Sequence, residues 1–537
     1  MTRPLRLALL LAPLALAACS TSLVCPQGQV DCGGSCVDLA VDAAHCGACA
    51  TSCGPLSVCT AGSCGCVAGA SDCAGACVDL LTDGANCGAC GAACSGSTSF
   101  CATTGSPATT ACVSSCPGGL AGCGSSCVDL LSDRADCGAC GAACAAGQTC
   151  RSGACVSEIE VACYATDTVQ PVDAALAAAG PARLLGGSPQ ALAVVDSSVW
   201  ASVSYPAGVA SIPLDARVPS SVDPFDLVPY DSDVEALQAS DQLLLASDDS
   251  AQTLVVFDPA TAAVLDSIPL AATPAAQAAG LFPHGVDVVG GRAFVALYGE
   301  SPSSGGQAIA DVDLSLDACA VPDPTAPTCS SGGACPTGRG CIGGVCRIPC
   351  GAFEKQIPVL GVPGAASSGA LPFPGAVKAA GSRVYVTLAN LQLASTGGFT
   401  GYIQPAGSGR LAVIDTANGD ALSILDLGTA CENPGALALE GTTLWVACGS
   451  FSYPAQAPGT LLPIDVSSAP VIGAPLAATS IVPGSLAFCG GKGYVTDQAS
   501  GAVLPFDPLA RTVGAPVTVC PTGTYGWAWA SDLACAF

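Results

Sequence analysis

The chain has 537 residues, 37 of them cysteine, and only 10% are charged: 15 basic against 41 acidic side chains, a formal net charge of −26. That balance excludes nucleic acid as a ligand and electrostatic docking on anionic lipid, because phosphate recognition depends on basic side chains. It favours solubility, cationic partners or divalent ions, and the length allows several domains.

The chain opens with MTRPLRLALLLAPLALAACSTS. Arg3 and Arg6 supply a positive leader, and Leu7 to Leu16 form an apolar run too short to span a bilayer. This reads as a secretory signal over residues 1–18. Leu16 to Cys19, LAAC, resembles the lipobox of bacterial lipoproteins. The resemblance implies that Cys19 becomes the first residue of the mature chain and carries diacyl and N-acyl lipid, a lasting anchor because more than one chain is buried. Residues 19–24 then serve as a linker. Ser20, where an Asp would suggest retention in the inner membrane, leans towards the outer membrane. No other stretch reads as transmembrane; Gln356 to Val377, for example, is broken by Gly, Pro and Ser.

Three tandem units of eight cysteines follow, over residues 25–64, 66–112 and 116–155. They are Cys25, Cys32, Cys36, Cys46, Cys49, Cys53, Cys59 and Cys64; Cys66, Cys73, Cys77, Cys87, Cys90, Cys94, Cys101 and Cys112; and Cys116, Cys123, Cys127, Cys137, Cys140, Cys144, Cys150 and Cys155. The first five gaps, of 6, 3, 9, 2 and 3 residues, are the same in all three, which marks one small unit copied. CxxC at this density invites zinc or disulfides. Zinc needs reduced thiolates, whereas an exported chain meets an oxidising compartment where disulfides persist. Each unit also has too few large apolar residues to fold on a core alone, and bridges supply what is lacking, typically about 2–4 kcal/mol each. Disulfides are therefore expected and no metal, with the connectivity left open.

The phrase CVDL followed by CGACGxxC, at Cys87 to Cys94 and Cys137 to Cys144, resembles the stigma-specific cysteine-rich repeat, which is also abundant in secreted and lipid-anchored proteins of myxobacteria. The resemblance implies a non-catalytic extracellular module. The first copy departs from it, with Ala50 where the others have Gly91 and Gly141. Acidic residues recur four apart as Asp38 and Asp42, Asp79 and Asp83, Asp129 and Asp133. They are candidate calcium ligands, but no run supplies enough oxygens, so turn capping is favoured. His45 stands where the other copies have Asn86 and Asp136.

From residue 158 cysteines thin out and short strand phrases take over. GRLAVIDTANGDALSILDLG, Gly409 to Gly428, is a hairpin around an Asn-Gly turn, and TLVVFDPATAAVLDSIPLA, Thr253 to Ala271, repeats it. Each such hairpin follows another, such as GVDVVGGRAFVALYG or GAVKAAGSRVYVTLAN. Four-stranded units recurring at about 40 residues predict an all-β fold: small disulfide-rich repeats, then a β-propeller over 158–537. The phrases resemble the YVTN-type repeats of bacterial propellers. Six complete units start near Ser188, Asp233, His284, Gly375, Gly435 and Ser485, and the chain ends on a lone hairpin, GTYGWAWASDLACAF. Glu158 to Ala175 can supply the missing outer strands, which predicts seven blades closed by both ends of the domain; six or eight stay open. A cysteine-rich insertion over 319–350, with Cys319, Cys329, Cys335, Cys341, Cys346 and Cys350, reads as a three-bridge knot whose CPTGRGCIGGVC resembles the tails of the repeats. Cys431 and Cys448 flank one inner hairpin, and Cys520 and Cys535 the last; both pairs are expected to bond. Cys163 and Cys489 lack an evident partner, with Cys535 an alternative for Cys163.

Loops between the second and third strands of a unit share one end of a propeller with the connections between units. Here they vary most, at Gly299 to Gln307, Leu391 to Ser408 and Ser450 to Gly459. They carry Phe399, Tyr402, Phe451 and Tyr453, candidate ligand anchors, unless these residues merely cover blade edges. Catalysis has little support: no nucleophile elbow, phosphate loop or dinucleotide fingerprint occurs, and His284, in FPHGVDVV, has no second histidine nearby. No catalytic residue and no cofactor are expected. The sequence thus points to a lipid-anchored binding protein, held to membrane through Cys19 and taking a protein or glycan ligand. The alternative is a propeller enzyme of lactonase or lyase type, which needs charged side chains clustered in the central channel.

Overall fold

A computed structural model describes residues 30–32, 36–37, 39, 46–51, 57–60, 63–66, 71–78, 80, 83–96, 99–104, 109–131, 133, 136–144, 149–151, 153–156, 158–178, 182–195, 198–204, 208–213, 234–240, 243–258, 263–271, 282–299, 307–314, 340–342, 345–396, 399–449, 459–478, 481–523 and 526–536. Cys19 and the leader lie outside them. The chain divides into two compact units, Met1–Asp129 and Leu130–Phe537, the division falling within the third cysteine-rich copy. Among the described residues no helix is long and apolar enough to cross a membrane.

The first unit is held by sulfur rather than by a core. Its buried apolar side chains among the described residues are Cys46, Cys87, Cys101, Ala102, Cys127 and Val128. In the second copy the bonds are Cys66–Cys77, Cys73–Cys90, Cys87–Cys101 and Cys94–Cys112. First joins third, second joins fifth, fourth joins seventh and sixth joins eighth. Cys32–Cys49 in the first copy, and Cys116–Cys127, Cys137–Cys150 and Cys144–Cys155 in the third, occupy the same places. The tail hairpin Phe100–Thr104 with Thr109–Val113 sets Cys101 directly opposite Cys112. The two do not bond to each other; each reaches back to a different cysteine of the CGACGxxC loop. The loop needs glycine at Gly88 and Gly91, whose φ of 76° and 77° L side chains rarely adopt. Asp83 accepts the N–H of Ala85 at 2.7 Å and Asn86 that of Gly91 at 2.8 Å. In the second unit Asp133 accepts from Asp136 and Asp136 from Gly141. These carboxylates cap turns, as the spacing alone suggested; Asp38, Asp42, Asp79 and His45 are not among the side chains described.

The second unit contains eight sheets of three to five strands among its described residues; one is the three-stranded sheet of Ala370–Leu371, Leu391–Thr396 and Phe399–Pro405, and the other seven pack in succession. The inner strands of these seven are β1 (Ser188–Val195), β2 (Val234–Ser240), β3 (Phe282–Val289), β4 (Pro374–Ala380), β5 (Pro434–Glu440), β6 (Pro483–Cys489) and β7 (Ala530–Ala536). Each packs beside the next, and β7 packs beside both β6 and β1. The second strands, such as Leu243–Asp248 and Arg383–Leu388, are buried on both faces, and so read as near-continuous apolar runs. Core clusters sit between successive sheets, for instance Leu254, Val256, Val295 and Val312 between the second and third.

The sheet of β7 is built from both ends of the domain: β7, then Glu158–Cys163, Thr168–Asp173 and Arg183–Leu184. The expected C-terminal hairpin is corrected to a single strand, because no strand lies among the described residues between Thr518 and Ala530 and β7 pairs instead with Glu158–Cys163; three strands therefore come from the N-terminal segment. Two disulfides tie this sheet to the sixth: Cys163–Cys520 and Cys489–Cys535. The expected pairing of Cys520 with Cys535 is thus overturned, as is Cys163 with Cys535. Cys163 pairs with Ala530 and Cys535 with Ile159, so the two cysteines sit at opposite ends of one strand pair. Cys431–Cys448 forms as expected. In the insertion, Gly340–Ile342 and Val345–Arg347 make a hairpin with Cys341 opposite Cys346, the arrangement of the repeat tails. Cys346 and Cys350 are in disulfides, and Cys350 N–H donates to Asp266 of the second sheet at 2.7 Å.

Candidate functional site

The inner strands share a device. Near its start each of β1 to β6 carries a bulge against its second strand, and five of the six bulges begin at a proline: Pro189, Pro283, Pro374, Pro434 and Pro483. Proline suits a bulge because it has no N–H to lose from the ladder. The N–H freed by the bulge is taken by a hydroxyl of the second strand. Ala191 donates to Ser202 at 2.9 Å, Ala236 to Ser247 at 3.0 Å, Ala376 to Thr387 at 2.8 Å and Ser485 to Thr496 at 2.8 Å. Glycine after the proline makes room: a Cβ on Gly484 would lie 2.6 Å from the Thr496 hydroxyl oxygen.

Several charged groups on these strands fasten one sheet to the next. Asp287 of β3 accepts the Ala379 N–H of β4 at 2.8 Å and pairs with Lys378 at 3.0 Å. Asp532 of β7 accepts from Leu192 of β1 at 2.7 Å and from the Ser485 hydroxyl of β6. Burial pushes the Asp532 carboxyl up to about 6. At the end bearing the first-to-second-strand hairpins Arg292 bonds Asp311 and Asp420, joining the third sheet to the fourth, and Lys355 also pairs with Asp420. Arg292 holds the Asp420 carboxyl below its ordinary range.

The end that bears the second-to-third-strand connections is organised by two buried amides with positive φ, Gln307 and Asn390. Gln307 donates to Gly299 O and accepts from Phe373 N–H, both at 2.7 Å. Asn390 accepts from Ser367 N–H at 2.7 Å and donates to Ser408 O at 2.8 Å. The expected loop Leu391 to Ser408 is mostly a hairpin, Leu391–Thr396 with Phe399–Pro405, that also pairs with Ala370–Leu371. Phe399 stands opposite Thr396 and Tyr402 opposite Leu393. Phe451 and Tyr453 lie outside the described residues.

Two aromatic groups occupy equivalent positions at this end. In the third sheet Phe282 and His284 of β3 meet Tyr298, the last residue of the second strand, with centroids 5.2 and 6.0 Å away, and Phe373 lies 6.1 Å from Tyr298. Burial lowers the His284 pKa, so its imidazole is neutral at pH 7. In the closing sheet Trp527 and Trp529 lead into β7, and Tyr164 directly follows the second strand. The three centroids are 4.7, 5.7 and 6.3 Å apart. Trp527 is 42% exposed. In the sequence WAW reads as part of a closing hairpin, which hides this trio; three aromatics beside a predicted domain seam are the available signal.

These features define an all-β, disulfide-rich protein with a propeller-like second unit. No protein-family model matches the chain, and no curated protein matches it. Similar solved structures include a putative 6-phosphogluconolactonase from Bacteroides uniformis, 10% identical over 71% of this chain and 99% of its own, with a TM-score of 0.45. Others are virginiamycin B lyase from Staphylococcus aureus, 10% identical over 67% and 88%, TM-score 0.40, and AztD from Citrobacter koseri, 11% identical over 71% and 98%, TM-score 0.37. They span enzymes and other proteins, and at such identity and TM-scores no argument rests on them.

Proposed function

We propose that the chain is an exported binding protein, anchored by lipid on Cys19 in the bacterial outer membrane. The cysteine-rich copies serve as a stapled stalk, and a seven-bladed propeller presents a ligand face at the end bearing the second-to-third-strand connections. The observation that carries this reading is the exposed Trp527 set against Tyr164 and Trp529 at that end. Exposed aromatics held by neighbours are the usual anchors of binding surfaces. Disulfides throughout both units agree with an oxidising compartment. Two acidic groups of the inner strands, Asp287 and Asp532, are occupied in fastening sheets, which favours binding over catalysis.

The test is a photo-reactive residue placed singly at Trp527, Tyr402 or Asp420 in the chain expressed in its own envelope. Trp527 and Tyr402 should each give discrete cross-linked products and Asp420, at the opposite end, none. Equal products from all three, or none from any, would defeat the assignment of a binding face.

A further inference from the structure

We infer that the Tyr164–Trp527–Trp529 group is a stacking platform for a neutral glycan, with Trp527 the contacting ring. This rests on the binding reading above and names its ligand class. The platform is built before any ligand arrives. Cys163 and Cys520, bonded to each other, stand at the bases of its two segments. Tyr164 N–H donates to Trp529 O at 3.1 Å, and Gly523 N–H to Trp527 O at 2.9 Å. A Cβ on Gly523 would lie 2.0 Å from Ala165 O, so the turn carrying Trp527 is pressed against the turn carrying Tyr164. Rings held this way lose little freedom on binding.

Geometry and charge select the ligand. Tyr164 and Trp529 are 4.7 Å apart, in mutual contact, with no room between them for a trimethylammonium group. The rings are inclined by 31 to 44° and form an open fan, not a box. A cation cage is therefore excluded. Between Val519 and Ala530 there is no charged residue, and Ala162 to Val169 contains only Asp167, which accepts the Ser188 hydroxyl at 2.7 Å. An anion finds no cation on the described residues of these two segments. What remains is a neutral molecule with a flat apolar face, and a sugar ring offers that face through its C–H bonds while its hydroxyls stay in water.

The chain has four tryptophans, and Trp200 and Trp445 are each 2% exposed; emission changes on binding therefore report the platform. The full chain in detergent would be titrated with neutral oligosaccharides of glucose and of N-acetylglucosamine while tryptophan emission is followed. A saturable shift is expected, insensitive to salt, at least tenfold weaker in Trp527→Ala and partly kept in Trp527→Phe. Unchanged thermal unfolding of Trp527→Phe shows that the fold is intact. No shift with any saccharide, or equal affinity in Trp527→Ala, would overturn the glycan assignment, as would binding that fades with salt. If cross-linking through Tyr402 persists in that case, the binding reading survives and only its ligand class falls; if both vanish, both fall.

Discussion

Asp532 shows how one residue couples three sheets. Its carboxylate accepts from the strands on either side of it, yet burial raises its pKa from the ordinary 3.8 to about 6. A raised carboxyl pKa stabilises the fold below about pH 4, and that contribution is lost as pH rises through 6. The shift corresponds to about 3 kcal/mol. Asn at this position keeps an acceptor for Leu192 and a donor for Ser485, but does not titrate. The melting temperature of Asp532→Asn relative to the parent should therefore climb between pH 4 and pH 7 and level off above. A difference that stays constant with pH would show that Asp532 is not the titrating group. None of this was legible in the sequence, where Asp532 is one acidic residue in a C-terminal strand; its burial is set by the neighbouring sheets, which come from distant residues.

At the scale of the element, the bulged inner strand accounts for much of what the sequence did reveal. Pro-Gly before an alternating apolar run recurs at Pro374, Pro434 and Pro483, and the inner strands begin within a few residues of where the paired hairpin phrases place the units. The hydroxyl that completes the bulge comes from the next strand, in YVTL at Thr387 and YVTD at Thr496. Sheets three and five have Ala296 and Ala447 at that place. Thr387→Val should cost about 1–2 kcal/mol, since it strands a half-buried N–H, read as a lower urea midpoint. Ala447→Thr, which offers a hydroxyl to the equivalent N–H of Ala436, should not fall by a similar amount. Equal losses in both would mean that the hydroxyl bond is incidental. Cysteine pairing, by contrast, was legible only within a sheet: Cys431–Cys448 joins the ends of one hairpin. Cys163–Cys520 and Cys489–Cys535 run between sheets, and strand order alone does not say which side chains face across such a gap.

For the whole molecule, two problems of stability have different solutions. The small first unit buries mostly cysteine, so its bridges replace a core. The second unit has ample cores, and two of its bridges fasten the seam where both ends of the domain meet. Cys163 and Cys520 are 357 residues apart in sequence, and closing so long a loop is worth about 6 kcal/mol in the chain-entropy view. The same seam carries the aromatic platform, so the staple that closes the ring also fixes its exposed tryptophan. Half of this was visible beforehand: the N-terminal segment was expected to complete the last sheet, and it does. The platform was not, because Tyr164 and Trp527 are brought together only by that closure.

Intact-mass spectrometry of the chain purified from membranes, before and after reduction, with mapping of linked peptides, tests the account most directly. It predicts a mature chain beginning at an acylated Cys19, no free thiol, and linked peptides joining Cys163 to Cys520 and Cys489 to Cys535. A retained leader with unmodified Cys19, or repeats with free thiols and bound zinc, would contradict an exported, lipid-anchored and disulfide-stapled protein.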